Sequence, residues 1–553
     1  MVFGSLAMSD DRLLYELIAE KLAVVPEAFA FIEHEQSVSY RQFDSLIREQ
    51  EAWLRHLGIT KGDVVAVWMV NSVGWLATYF ALCRIGATLE PVNTRFKSHE
   101  VSYILGKAAP RLLIMQARFR NIDFVEIFSH VRPEDLGALE RIILLGDVDD
   151  EPSSLNGVPV TIATKLSFDE QASAERVRSA EAPDPNAVSI LFSTSGTTSG
   201  PKLVMQTQAN LVCHAHYCAQ SYGMDQEGAA LLAVLPFCGA FGLNAALAAI
   251  AGGCPAILMD AFDGAEAAAL VRKHGVSHIF GSDELYRKMI DAADGERPFP
   301  SARMFGFGAF TSSFDDYALA AWARDIPLLG LYGSSEVLAI FSAQRRDMPV
   351  RHRIEGGGQP AAGERAKIRI RDTESGALLT DGESGEIEIA SPSNFIGYLN
   401  DPTATAKAVT DDGYFRTGDL GYLREDGSLV YLSRMGDAIR LGGFLVSPSE
   451  IEAVIKEIPG VLDAYIVAVE IGNTPRVVAF VHDDQSGRVD QDRVVAAAKA
   501  HLAAFKVPHR VWFVDEYPVT QSANGLKVQR GKLREIAEHN LAQEHNEPRA
   551  LGS

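Results

Sequence analysis

Residues 189–202 read SILFSTSGTTSGPK, and the rest of the chain falls into order around them. The apolar run Ile190, Leu191 and Phe192 reads as a buried strand. It empties into Ser193, Thr194, Ser195, Gly196, Thr197, Thr198, Ser199 and Gly200, followed by Pro201 and Lys202. Glycines and hydroxyls behind a strand can turn backbone N–H and side-chain O–H groups toward one anion. Lys202 adds a point charge suited to phosphate. No Walker A loop is present, since G-x-x-x-x-G-K-[ST] is not matched. A flexible linker fits poorly between an apolar strand and the patterned segment QTQANLVCHAHYCAQ. The stretch reads as a phosphate cradle.

The chain has 553 residues, long enough for two or more packed units. Its 47% hydrophobic and 22% charged residues are ordinary globular composition. A net charge of −21 argues against a nucleic-acid or anionic-membrane surface and forces any positive charge for a phosphate ligand to be local. The cysteines Cys83, Cys213, Cys218, Cys238 and Cys254 form no C-x-x-C pair, and read as buried free thiols of a reducing compartment. The run Cys213–His214–Ala215–His216 reads as a helix face rather than a metal site. The N-terminus is acidic where a secretion signal is basic, so a cytoplasmic protein is expected. Residues 228–259 carry no charge, but Pro236, Gly239, Gly242, Gly252, Gly253 and Pro255 divide them into a strand, a loop, an Ala-rich helix and a strand, arguing for buried core and against a membrane span.

Along the chain, a helical start precedes a hairpin around residues 33–40. Residues 63–69 read as a strand, 74–84 as an amphipathic helix stopped near Gly86, and 87–91 and 111–116 as strands. Residues 256–259 and 276–280 read as the strands of a βαβ unit, its helix capped by Asp263 and stopped by Gly275. This alternation predicts parallel sheets with helices on both faces. Beyond about residue 355, residues 364–371 and 385–390 alternate like half-exposed strands. From residue 447 a compact α+β pattern follows, with helices at 449–457 and 490–502 and strands at 464–469, 476–481 and 510–514. The boundary falls near Met435 and Gly436, dividing the chain into 1–435 and 436–553.

Five motifs in order resemble the adenylate-forming superfamily of acyl-CoA synthetases, carrier-protein adenylation domains and luciferases. They are STSGTTSGPK, LYGSSE at 331–336, GYFRTGDLG at 413–421, the hinge region at 433–452 and PVTQSANGLKVQR at 518–530. Taken singly, Tyr332, Glu336, Asp419, Arg434 and Lys527 fit ordinary structural roles; their joint order points to a site. The resemblance implies an α/β fold: a large N-terminal AMP-binding domain of parallel sheets with helices plus a β-rich subdomain, and a small mobile α+β C-terminal lid. It implies ATP, Mg2+ and coenzyme A. A carboxylate would attack the α-phosphate of ATP, releasing pyrophosphate, and a thiol would then attack the acyl carbon, releasing AMP.

By the same resemblance, Thr194, Ser195, Gly196, Thr197, Thr198 and Lys202 hold phosphates, and Glu336 holds Mg2+. Ser335 offers a hydroxyl to the α-phosphate, Tyr332 a face to adenine, and Asp419 a carboxylate to the ribose with Arg434 nearby. Gly308, Ala309, Gly333 and Ser334 complete the nucleotide site. Lys527 is the catalytic lysine, with Thr194 and Glu336 beside it in the reaction; Lys532 is the alternative lysine. Cys238, Phe241, Gly306, Val337 and Leu338 line the acid pocket, while Gly442, Gly443 and Phe444 line a coenzyme A tunnel.

Three positions depart from the pattern. The hinge falls on Gly436, whose wider φ/ψ range frees domain rotation. Cys238 stands where an aromatic or His is common, and reads as packing, with a nucleophilic role lacking a visible base. The lysine motif reads Gly525–Leu526–Lys527. The apolar lining points to an aryl, arylalkyl or medium-chain acid. A stand-alone enzyme loading a carrier protein is the alternative. The expected partners are the acid, ATP and coenzyme A, with no nucleic acid and no integral membrane association; a homodimer is left open.

Overall fold

The computed structural model describes residues 11–146, 152–163, 181–194, 201–308, 314–372, 375–435, 439–441, 444–446, 448–472, 474–485, 487–522 and 525–546. The chain divides into two compact units. One comprises Met1–Thr94, Val101–Thr194 and Lys202–Met435; the other comprises Arg95–Glu100, Ser195–Pro201 and Gly436–Ser553.

The larger unit contains a nine-stranded and a thirteen-stranded sheet. In the first, Val188–Thr194, Thr88–Pro91, Val64–Trp68, Leu112–Gln116 and Arg141–Leu145 run parallel in that order. The apolar runs of Val64–Trp68, Leu112–Gln116 and Arg141–Leu145 suit strands covered on both faces. The helix Val73–Ile85 is capped by Ser72, whose side chain accepts from Trp75 N, and ends at left-handed Gly86. Expected to be amphipathic, it is instead buried on nearly every side. The cause is its place in a core that unites apolar side chains of both sheets, including Leu89, Ile114, Leu231 and Ala256.

The thirteen-stranded sheet is parallel through Ala256–Leu258, Leu231–Ala233, His278–Ser282, Met304–Gly308 and Leu328–Ser334. Asp263 and Gly275 cap the helix Gly264–His274 as expected. However, the strands flanking it pair with Leu231–Ala233 between them, not with each other. Beyond Leu328–Ser334 the sheet continues antiparallel through Leu338–Ala343, Gly357–Pro360, Leu429–Arg434, Phe415–Leu423, Gly385–Ala390 and Lys367–Arg371. The half-exposed reading of residues 385–390 is overturned: every residue of Gly385–Ala390 is buried, with strands on either side. Buried Glu388 is paired by Arg369 and Arg371, which explains the polar alternation. The uncharged stretch forms the strand Leu231–Ala233, the helix Ala240–Gly252 and the strand Ala256–Leu258. No helix among the described residues is long and apolar enough to cross a membrane.

In the smaller unit, Val461–Ile471 and Thr474–Asp483 pair antiparallel, and Arg510–Phe513 joins them in parallel. Pro448–Lys456 and Gln491–His501 cover one face through Ile451, Ile455, Val494 and Ala498. Arg530–Asn546 covers another with Leu533 and Ala537.

Candidate active site

Val188–Thr194 and Lys202–Thr207 pair antiparallel, with Thr194 opposite Lys202. A strand therefore leaves the glycine-rich loop, and the helix Gln208–Ser221 starts only afterwards, capped by Thr207. The two flanking residues are thus held at the mouth of one hairpin. Ser195, Gly196, Thr197 and Thr198 lie outside the described residues.

The Lys202 ammonium lies 4.5 Å from the centroid of the Tyr398 ring. The Tyr398 hydroxyl donates to Glu336 Oε1 at 3.0 Å. Glu336 is only 9% exposed, so a carboxylate with acceptor capacity is held largely out of solvent. Its backbone is fixed as well: its carbonyl accepts from Phe395 N at 2.6 Å and from Gln206 Nε2 at 3.4 Å. Gln206 also donates to the Ser335 carbonyl at 2.9 Å and accepts from Asn210 Nδ2 at 3.0 Å. Buried amides satisfied in this way hold a loop more firmly than apolar packing alone. Tyr398, Gln206 and Asn210 were not singled out by sequence. The phrase GYLNDPTAT at 397–405 was the available signal, because Asp401 caps the helix Pro402–Ala408 and Thr405 Oγ1 accepts from Tyr398 N at 2.9 Å.

Tyr332 lies at the other end of the same segment. Its hydroxyl donates to Asp419 Oδ2 at 2.7 Å, and its ring packs on Tyr431 with centroids 5.6 Å apart. Asp419 is 2% exposed; its N–H donates to Thr417 Oγ1. Asp419 lies opposite Arg434 in the pairing of Phe415–Leu423 with Leu429–Arg434. Gly333 is required between these groups: a Cβ there would lie 2.9 Å from both Ala339 Cα and Leu338 O. Gly421, in the motif at 413–421, is required for the same reason, since its Cβ would lie 2.3 Å from the Val430 carbonyl. Ser334 and Ser335 are half-buried, and Ser334 Oγ accepts from Glu336 N at 3.3 Å.

Of the residues expected to line an acid pocket, Val337 and Leu338 are fully buried in a cluster with Phe237, Phe280 and Leu331. Gly306 is buried against Phe280 and Leu331, and Gly308 ends its strand half-buried; Ala309 lies outside the described residues. Cys238 is buried just before the helix Ala240–Gly252, where Phe241 is half-buried. All five cysteines are free and buried. Leu338 and Ile340 have φ of 64° and 58°, strained for bulky side chains. The helix carrying His214 and Cys218 packs on this strand and holds its carbonyls. His214 Nε2 donates to Ala339 O at 2.8 Å, and the Tyr222 hydroxyl to Ile340 O at 2.7 Å. Burial pushes the His214 imidazole down to about 4, against the opposing effect of the Ala339 carbonyl, so it stays neutral. The run Cys213–His216 lies on the helix Gln208–Ser221, as expected, and His214 and Cys218 stand one turn apart on it.

In the smaller unit, Lys527 lies on the strand Gly525–Val528, opposite Thr520. Arg530 anchors the following helix through Glu452, at 2.6 and 3.1 Å, and Lys532 is exposed on that helix. Gly436, Gly442 and Gly443 lie outside the described residues, as do the side chains of Phe444, Arg434 and Lys527.

Residues 18–399 match the family model described as AMP-binding enzyme, and residues 450–524 match that of the AMP-binding enzyme C-terminal domain. The chain is 28% identical over 527 residues to 2-succinylbenzoate–CoA ligase of Geobacillus sp. (strain WCH70), covering 95% of this chain and 97% of the relative. It is 27% identical over 541 residues to 3-hydroxybenzoate–CoA/4-hydroxybenzoate–CoA ligase of Thauera aromatica, with 95% and 97% coverage. The solved structure of o-succinylbenzoate CoA synthetase from Bacillus subtilis, bound with a product analogue, superposes with a TM-score of 0.80 at 22% identity, covering 94% of this chain and 98% of that one.

Proposed function

The chain belongs to the AMP-binding enzyme family and is an AMP-forming acid–CoA ligase; on that premise we propose that its acid substrate is hydrophobic, an aryl, arylalkyl or medium-chain carboxylic acid. The acid attacks the α-phosphate of ATP to give an acyl-adenylate and pyrophosphate. Coenzyme A then attacks the acyl carbon and AMP leaves. The relatives' names favour coenzyme A over a carrier protein as acceptor.

The observation that carries the nucleotide assignment is the segment Tyr332–Glu336, tied to Asp419 at one end and through Tyr398 to Lys202 at the other. A ribose-binding carboxylate and a phosphate-binding lysine are thereby referred to one rigid turn. Lys202 holds terminal phosphate charge, Asp419 accepts from ribose hydroxyls, and Ser335 donates toward the α-phosphate. Positioning plus charge stabilisation is most of what such a displacement needs. Glu336 suits Mg2+, which takes one or two carboxylates together with phosphate oxygens and water. Bound there, Mg2+ would supply neutralising charge across the phosphates. Lys527 stabilises charge on the attacking carboxylate and the α-phosphate. The buried apolar side chains of Phe237, Val337 and Leu338 support a hydrophobic acid.

The test is pyrophosphate release with ATP and Mg2+ across a panel of carboxylic acids, with and without coenzyme A. Turnover that needs coenzyme A and is confined to hydrophobic acids is the expected result. Preference for a short polar or dicarboxylic acid overturns the substrate class. Single-turnover release with no effect of coenzyme A overturns the acceptor.

A further inference from the structure

Lys202 and Glu336 carry opposite charges, and among the described residues they meet through Tyr398 rather than in a direct ion pair. The phenol is 5% exposed and has one interaction for each: the ring face for the ammonium, the hydroxyl for the carboxylate. Its backbone is over-determined. Val204 pairs with Tyr398 and Met205 with Gly397, while Thr405 Oγ1 accepts from Tyr398 N. Gly397 has φ +141°, and a Cβ there would lie 3.0 Å from Thr405 Cγ2, so the Thr405 side chain packs directly against the backbone that precedes Tyr398.

We infer that Tyr398 is a positioning residue, a spacer that prevents Lys202 and Glu336 from neutralising each other before nucleotide binds. This rests on the assignment of Lys202 to phosphate and Glu336 to Mg2+. Opposite charges at low exposure attract strongly when they touch, and a closed ion pair would have to be broken for each to take its ligand. A cation over a ring and a phenol on a carboxylate are weaker and are exchanged readily for phosphate and metal. The phenol thus keeps both groups ordered and uncommitted. Gln206 and Phe395 fix the Glu336 backbone, so the carboxylate's direction is left to Tyr398.

The test measures binding of the non-hydrolysable analogue α,β-methylene-ATP by calorimetry, over a range of Mg2+, alongside steady-state kinetics. Tyr398→Phe keeps the ring and loses the hydroxyl; the Mg2+ concentration for half-maximal binding is expected to rise about fivefold, the worth of one hydrogen bond. Tyr398→Leu removes the spacer, and Mg2+-free binding of the analogue is expected to weaken about tenfold, in the range for a partly desolvated cation–π contact. Adding Glu336→Gln to Tyr398→Leu is expected to restore most of that Mg2+-free affinity, because Lys202 then has no carboxylate to collapse onto. A purely structural role for Tyr398 gives no such rescue. Equal weakening by Tyr398→Leu with and without Glu336→Gln overturns the inference, as does unchanged Mg2+ dependence in Tyr398→Phe. Wild-type protein that binds no nucleotide overturns the assignment of the site and the inference with it.

Discussion

The Tyr332 hydroxyl donates to Asp419 Oδ2 at 2.7 Å, joining two strands whose residues lie 87 positions apart in the chain. The phenol fixes one carboxylate oxygen and so sets the direction of the other. Tyr332→Phe is expected to raise the apparent KM for ATP a few-fold, about the worth of one hydrogen bond, with kcat largely kept. Asp419→Ala removes the acceptor itself and is expected to raise it about tenfold or more. Initial-rate kinetics at varied ATP decide this; equal KM values for wild type and Asp419→Ala would remove Asp419 from the ribose site.

Lys527 sits on a short hairpin strand, and Arg530 beyond it is clamped by Glu452. Lys527→Ala is expected to slow adenylate formation by about a hundredfold or more, as loss of a positioned charge does. Thioester formation from a supplied acyl-adenylate should be nearly unchanged. Loss of both half-reactions together would move the catalytic charge to another lysine.

Gly333 is the only residue type that fits between the Tyr332 and Glu336 groups without displacing backbone. Gly333→Ala forces the turn away from Leu338 and Ala339, at a cost of about 1–3 kcal/mol shared between stability and site geometry. The expected outcome is a kcat/KM for pyrophosphate release at least about tenfold lower in a protein whose circular dichroism is that of wild type. Full activity would show that the turn tolerates the shift.

Burial pushes both His214 and His278 down to about 4 from the ordinary 6.5, despite the carbonyl each imidazole meets. The folded state therefore binds fewer protons than the unfolded chain between these values. Stability is fully present above about pH 6.5 and is lost as pH falls toward 4, by about 1.4 kcal/mol per pH unit for each histidine. Urea unfolding from pH 7 to 5 is the measurement. His214→Gln, which keeps a donor for Ala339 O, is expected to remove about half of the slope contributed by the pair. An unaltered slope would show that His214 is protonated in the folded protein.

Elements set by short-range chemistry were readable along the chain. Asp263 and Gly275 bracket their helix because a side-chain cap and a left-handed glycine act within one turn. The apolar runs at 64–68, 112–116 and 188–194 form strands because parallel strands buried on both faces need such runs. Motif order identified the family and pointed to Lys202, Glu336 and Asp419.

Contacts between distant parts of the chain were not readable in this way. Burial around Val73–Ile85 depends on the second sheet, which no local periodicity reports. Tyr398 meets Glu336 across 62 positions, and His214 meets Ala339 across 125. Backbone propensity and hydrophobic period act over a few residues, whereas these pairings arise only when strands register and close a core. Thus the sequence alone determined the family, the run of elements and the residue types proposed for phosphate, metal and ribose. Only the tertiary structure decided which side chain holds each of those groups in place, because that depends on the few ångströms between residues the chain keeps far apart.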